Sequence, residues 1–121
     1  MRERELKQLV VEMASRFGWH VYHVPFPARV GRDGRAVGER RAAGWPDLML
    51  LHEDPPRLVF AELKGHGGQL RESQRLALRR LSRVAEWLYE HSVGERAVAV
   101  YVWRPDMLDQ VEAVLRGRVL L

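Results

Sequence analysis

Two short apolar runs joined by a proline-rich turn constrain the fold more than any other feature of this chain. Leu48–Leu51 and Leu58–Lys64 have the length and the Leu, Val and Phe content of buried strands. The six residues between them, 52–57, contain Asp54-Pro55-Pro56, a strong turn signal. The pattern therefore predicts an antiparallel hairpin that is symmetric about Asp54-Pro55.

The register of this hairpin determines which charged residues meet. Symmetry about the turn places Met49 opposite Phe60 and Asp47 opposite Glu62, and it pairs Leu51 with Leu58. Directly opposed residues have Cβ atoms about 4.5–5.5 Å apart, and Lys64 leaves the same face of its strand as Glu62. Asp47, Glu62 and Lys64 are therefore expected to converge, although a slip of one residue would separate them.

Helical and strand periodicity predicts the rest of the secondary structure. Leu6, Val10, Met13, Ala14 and Phe17 predict a first helix over about residues 3–17, and a strand follows over Trp19–Val24. Leu70, Gln74, Ala77, Leu78, Leu81, Val84, Ala85 and Leu88 predict a long helix to about His91, then a strand at Ala97–Trp103 and a helix at Asp106–Arg116. The prediction is one α/β domain over residues 1–121, with a mixed central sheet flanked by helices in the order α-β-β-β-α-β-α.

Composition excludes several classes of protein. The chain has no Cys, which excludes disulfides and thiolate zinc sites. No apolar run has the length of a membrane span, and the charged start over residues 1–5 is unlike a signal peptide. We therefore expect a soluble, cytoplasmic protein. The formal net charge of +4 suits a polyanionic partner.

The chain has eighteen Arg and only two Lys, so the lysine at position 64 is notable. An ammonium is a compact charge that can contact one water, whereas a guanidinium is a broad fork. Asp47, Glu62 and the Leu63 carbonyl offer the oxygen ligands that Mg²⁺ prefers. With Lys64 beside them, the group has the outline of a site for metal-assisted phosphodiester hydrolysis. The alternative is a solvated charge cluster at a strand end.

Several motifs together resemble the VRR-NUC domain of the PD-(D/E)XK nuclease superfamily. They are Gly44-Trp45-Pro46-Asp47-Leu48, Phe60-Ala61-Glu62-Leu63-Lys64, Gln74 early in a helix, the Glu3 to Gly18-Trp19 segment, and Val102-Trp103-Arg104-Pro105-Asp106. The resemblance covers nearly the whole chain, in order. It implies a restriction-endonuclease-like fold and a stand-alone nuclease that uses Mg²⁺ or Mn²⁺.

The resemblance also implies roles for individual residues. Asp47 and Glu62 match the metal ligands, Lys64 matches the catalytic lysine, and Gln74 matches the glutamine that supports the site. Glu3 matches the acid of the first helix, which would add a catalytic group and a further metal ligand, with Glu5 as the alternative. Read from the residues alone, a Glu in a first helical turn is favoured by the helix dipole whatever its function.

Two sets of arginines are candidates for contacts to phosphate. The long segment 28–44 carries Arg29, Arg32, Arg35, Arg40 and Arg41 and leads directly to Asp47. We expect it to be a positive loop that contacts DNA, against the alternative of a merely solvated loop. A second set, Arg71, Arg75, Arg79 and Arg83, follows one stripe of the long helix. A charged outer face is the commoner explanation for such a stripe.

These observations favour a metal-dependent DNA endonuclease. The small size of the domain and the resemblance to the nuclease family suggest a homodimer with two active sites, for which a branched substrate such as a Holliday junction is suited. The alternatives are a non-catalytic DNA-binding module of the same fold and a hydrolase of small phosphate esters.

Overall fold

A computed structural model describes residues 1–23, 29–30, 36–37, 44–117 and 120. The helices are α1 (Glu3–Arg16), α2 (Glu72–Glu90) and α3 (Leu108–Leu115), and a 3₁₀ turn at Pro105–Met107 precedes α3. The strands are β1 (His20–His23), β2 (Arg29–Val30), β3 (Ala36–Val37), β4 (Leu48–Glu53), β5 (Pro56–Leu63) and β6 (Val98–Trp103).

The central hairpin has the predicted register. Met49 pairs with Phe60 and Leu51 with Leu58, in an antiparallel ladder that runs from Leu48–Ala61 to Glu53–Pro56. The connecting turn is shorter than the expected span of 52–57, because only Asp54 and Pro55 lie between the strands. Pro56 can open β5 because the first residue of a strand is a position that tolerates proline.

The predicted order of elements is wrong in one segment. The structure has two additional strands within residues 28–44, β2 and β3, which pair antiparallel with each other and form a separate two-stranded sheet. The sequence between them contains Asp33-Gly34, a dipeptide that strongly favours hairpins. The observed order is therefore α-β-β-β-β-β-α-β-α.

The main sheet is mixed and has the order β1-β4-β5-β6. Only the β5–β6 pair is parallel, and α2 forms the connection between those strands. Alternate residues of the central strands pack with α1 and α3 in the main core, while α2 lies against β6 with Leu78 and Ala85 buried. Strand β5 lies between β4 and β6, and because helices cover the sheet its side chains are buried on both faces from Val59 to Leu63.

Fewer apolar residues of α2 are buried than its helical periodicity predicts. Of its apolar positions, Val84 and Leu88 are exposed, as is Trp87. On β1, Tyr22 is also exposed, whereas Trp19 just before the strand is buried.

None of the helices in the described part of the chain is both long enough and apolar enough to cross a membrane.

Candidate active site

A fully buried carboxylate lies at the carboxyl end of the central strand. The side chain of Glu62 is only 1% exposed, because β5 is covered on both faces. One of its oxygens, Oε1, accepts a hydrogen bond from Gln74 Nε2 at 3.0 Å. The other, Oε2, is buried, and no hydrogen-bond donor from the described residues reaches it. A buried carboxylate oxygen without a donor is costly, so this atom requires a proton or a cation.

Asp47 lies next to Glu62, as the hairpin register predicts. Its Oδ2 accepts a hydrogen bond from the backbone N–H of Leu63 at 2.9 Å. This bond fixes the Asp47 carboxylate against the end of β5, one residue beyond Glu62. Two carboxylates of like charge are therefore held together at the end of the hairpin.

The same ladder indicates the direction of the Leu63 carbonyl. In an extended strand the N–H and C=O of one residue point toward the same neighbouring strand, so the Leu63 carbonyl points to the side on which its N–H meets Asp47. Continuing the register beyond Leu48–Ala61 places Pro46 opposite Leu63. Proline has no N–H to donate, so the Leu63 carbonyl receives no ladder bond from Pro46.

Lys64 provides the positive charge of this cluster. Its Nζ lies 3.7 Å from Oε1 of Glu62 and 4.0 Å from Oε1 of Glu3, and its side chain is only 12% exposed. The ammonium is thus held between a buried carboxylate and one at the surface. Glu3 opens α1 and is half exposed, whereas Glu5 is exposed and no ion pair connects it to Lys64 within the described residues.

Gln74 connects the cluster to α2. It is buried, and its Oε1 accepts a hydrogen bond from the backbone N–H of Arg71 at 2.8 Å. Because that N–H can only donate, the Gln74 carbonyl must face it and the amide nitrogen must face Glu62. The first turn of α2 therefore orients the side chain that holds Glu62.

Two glycines allow the surrounding backbone to approach this cluster. Gly44 has a φ of +84°, and a Cβ there would collide with the backbone of Ser73 in the first turn of α2. A Cβ on Gly65 would lie 2.6 Å from the backbone nitrogen of Glu3. A hydrogen bond from the His66 N–H to the Met1 carbonyl, at 3.1 Å, also fastens this turn to the start of α1. The absence of a Cβ at Gly44 and Gly65 thus allows the first turns of α2 and α1 to lie close to the start of β4 and the end of β5.

The electrostatics of the cluster change the acidity of Glu62. Burial is the largest cause, and together with the neighbouring charge of Asp47 it raises the pKa of Glu62 from an ordinary 4.5 to about 8. A hydrogen bond to Asp47 in the protonated form and the more distant charge of Glu3 act in the same direction, while Lys64 opposes them. A second positive charge beside the two carboxylates would reverse this shift.

These residues fit a divalent cation by their chemistry. Asp47 and Glu62 supply two carboxylates, and Oε2 of Glu62 has no donor among the described residues. By the strand geometry, the Leu63 carbonyl points to the side on which the Leu63 N–H meets Asp47. Hard cations such as Mg²⁺ use this kind of oxygen set and keep several waters. In the described part of the chain, no cluster of three or more His, Cys, Asp and Glu side chains has the arrangement of a metal site. The candidate ligand set for a cation therefore consists of two carboxylate side chains and one backbone carbonyl oxygen.

Of the five arginines that were expected to contact DNA, the structure describes only the backbone of Arg29. Arg29 belongs to β2, and Arg32, Arg35, Arg40 and Arg41 lie outside the described residues. One contributor was missed by sequence reasoning: Arg104 donates a hydrogen bond from Nη1 to the Gly68 carbonyl at 2.6 Å, which holds the turn after Lys64. Its position directly after β6, next to the strand that carries Lys64, is the signal that could have identified it.

Comparison with known proteins gives no relative for this chain: no protein-family model matches it, and neither a curated protein nor a solved structure is significantly similar.

Proposed function

We propose that the protein is a metal-dependent DNA endonuclease and that Asp47, Glu62 and Lys64 form its active site. The observation that carries this proposal is the buried carboxylate of Glu62 beside the partly buried Asp47, with a Glu62 oxygen that has no donor among the described residues and an ammonium 3.7 Å from the same side chain. Buried side-chain oxygens are usually hydrogen-bonded. A site that binds a cation leaves oxygens open for it.

Each residue of the proposed active site has a separate role in hydrolysis. A divalent cation, when bound, supplies positive charge beside the phosphate and promotes ionisation of the attacking water. Asp47 and Glu62 hold that cation, and Gln74 keeps Glu62 in place. Lys64 orients the attacking water or stabilises the negative charge that develops on the phosphate. Glu3 positions the Lys64 ammonium through their ion pair.

The charge of the chain favours a nucleic acid over a small phosphate ester. The formal net charge is +4, and Arg29, Arg32, Arg35, Arg40 and Arg41 lead in sequence toward Asp47. Arg71, Arg75 and Arg79 are exposed beside Gln74 along α2. Arginines at this density suit a long polyanion. Branched DNA such as a four-way junction is the proposed substrate, cut by a homodimer with one site in each copy.

A cleavage panel tests this function. Purified protein is incubated with linear, nicked, flapped and four-way DNA in Mg²⁺, in Mn²⁺ and in EDTA. We expect metal-dependent cleavage by the wild type, and a loss of about 10²-fold or more in Asp47→Asn and Lys64→Met. Lys7→Met is the matched control, because it removes the other lysine of the chain and should retain activity.

The rival function is a DNA-binding module without catalysis. Binding measured by fluorescence anisotropy separates the two, since both active-site variants should still bind DNA when they no longer cut it. DNA binding by the wild type without cleavage of any substrate in either metal would replace the nuclease with the binding module.

A further inference from the structure

The carboxyl-terminal half of α2 exposes an apolar face that nothing in the described structure covers. Val84 is 58% exposed and Trp87 56% exposed, and Leu88 adjoins them on the same side of the helix. Trp87 stacks on the ring of His91 one turn further along, with centroids 4.0 Å apart. Ala77, Leu81, Val84, Leu88 and His91 repeat at alternating intervals of four and three residues, the spacing of a helix–helix seam. The face is therefore patterned to pack against another helix.

Charge along this face changes sign from one end to the other. Arg80 and Arg83 precede Val84, Glu90 follows Leu88, and Glu86 lies between Val84 and Trp87. Glu86 is already bound by Arg96 at 2.8 Å. Arg83 and Glu90 are both exposed and form no ion pair with any other described residue. A helix with this distribution complements a copy of itself that runs in the opposite direction.

We propose that the face formed by Val84, Trp87 and Leu88 is a two-fold interface between two copies of this chain, with their α2 helices packed antiparallel. A two-fold axis near residues 86–87 places Val84 opposite Leu88 of the second copy and Trp87 against its own counterpart. The same axis places Arg83 opposite Glu90 of the second copy, twice by symmetry. The interface thus combines apolar burial with two ion pairs around one two-fold axis.

A groove on this face supports the same arrangement. Arg83, Glu86, Trp87 and Glu90 line a surface depression of about 230 Å³, which gives room for a side chain of the second copy. On the other flank, the guanidinium of Arg96 stacks over Tyr89 at 4.4 Å and fills that side. The open flank is therefore the one that carries Arg83 and Glu90, which have no ion-pair partner among the described residues.

The interface also sets the distance between the two sites. Gln74 lies 12–13 residues before the proposed axis, or roughly 19 Å along the helix at 1.5 Å per residue. The two antiparallel helices therefore hold their Gln74 residues roughly 40 Å apart. That these are catalytic sites rests on the proposed function; the interface itself does not.

Charge complementation tests this interface without DNA or metal. Arg83→Glu gives a chain with acidic residues at both positions, and Glu90→Arg gives one with basic residues at both. In sedimentation equilibrium we expect the wild type to dimerise with a dissociation constant in the micromolar range, since one helix face is smaller than the ~800 Å² per partner of a standard interface. Each variant alone should be monomeric at concentrations where the wild type is dimeric. A 1:1 mixture of the two should regain the dimer, because both ion pairs are restored.

The matched control is Arg79→Glu, a charge reversal one turn before Arg83, which should dimerise as the wild type does because the second copy's α2 ends at Glu90 and does not reach the position opposite Arg79. Circular dichroism confirms that all variants are folded. The proposal is overturned if the wild type remains monomeric at all concentrations, if either single variant dimerises as well as the wild type, or if the mixture stays monomeric. None of these outcomes depends on whether the protein cleaves DNA, so failure of the interface and failure of the nuclease are distinguishable.

Discussion

Two effects act in opposite directions on the protonation state of Glu62. Its burial on the central strand favours the neutral acid, whereas binding of a cation requires the charged carboxylate. The pKa near 8 expresses this conflict in the absence of a cation. A divalent cation at the proposed site would favour the charged carboxylate and so lower this pKa.

The raised pKa of Glu62 predicts how stability depends on pH when no divalent cation is present. Between about pH 4.5 and pH 8 the folded chain keeps a proton on Glu62 that the unfolded chain has released. Stability from this group is complete below the lower value and is lost as pH rises toward the upper one. We expect Glu62→Gln to remove this loss and to be more stable than the wild type at pH 8, by up to about 4 kcal/mol.

Urea unfolding at intervals from pH 5 to pH 9 in EDTA measures this effect. Glu12→Gln, an exposed acid of α1, should follow the wild-type curve. Equal pH dependence in the wild type and in Glu62→Gln would show that Glu62 is ionised normally.

The ion pair between Glu3 and Lys64 predicts that Glu3 affects the cleavage rate. Glu3 contacts Lys64 at 4.0 Å, whereas Glu5 does not share this ion pair. We expect Glu3→Gln to lower the cleavage rate at least about tenfold with little change in DNA affinity, because the lysine loses its positioning partner. Glu5→Gln is the control, measured in the same single-turnover assay. Equal rates for the two variants would remove Glu3 from the site.

At the scale of elements, the hairpin could be predicted from sequence and the connections around it could not. The turn at Asp54-Pro55 and the two apolar runs define the register, and the register determines that Asp47 and Glu62 meet. The contributions of Gly44 and Gly65 depend on how α2 and α1 approach the strand ends, which is a matter of tertiary packing. The exposure of Val84 and Leu88 was also unpredictable, because periodicity shows an apolar face without showing what covers it.

The close approach of Gly65 to the start of α1 predicts that a side chain at position 65 destabilises the fold. Gly65→Ala places a Cβ where the backbone of Glu3 lies, so the start of α1 must move. We expect a loss of about 1–3 kcal/mol in unfolding free energy and a lower cleavage rate. Gly68→Ala, in the same turn, meets no atom nearer than 3.3 Å and should lose less. Thermal and urea unfolding give the comparison, and equal losses would show that the approach to Glu3 is unimportant.

At the scale of the whole molecule, excess arginine is the feature that the fold does not require. If residues 29–41 contact phosphates, DNA affinity should fall linearly with salt on logarithmic axes, and Arg40→Ala/Arg41→Ala should make this slope shallower by roughly two. Arg116→Ala is the control, since Arg116 is paired with Glu112 at 2.8 Å. Fluorescence anisotropy between low and moderate salt measures the slope. An unchanged slope in the double variant would exclude this segment from the DNA contact.

The central claim is that Asp47 and Glu62 form a divalent-cation site that serves phosphodiester hydrolysis. The most direct measurement is titration of Mn²⁺ into the protein, followed by electron paramagnetic resonance of the free ion. We predict saturable binding of one Mn²⁺ per chain, weakened more than tenfold in Glu62→Gln and in Asp47→Asn and unchanged in Glu12→Gln. Wild-type protein that binds no Mn²⁺ saturably, or a Glu62→Gln variant that binds it as tightly as the wild type, would contradict the claim.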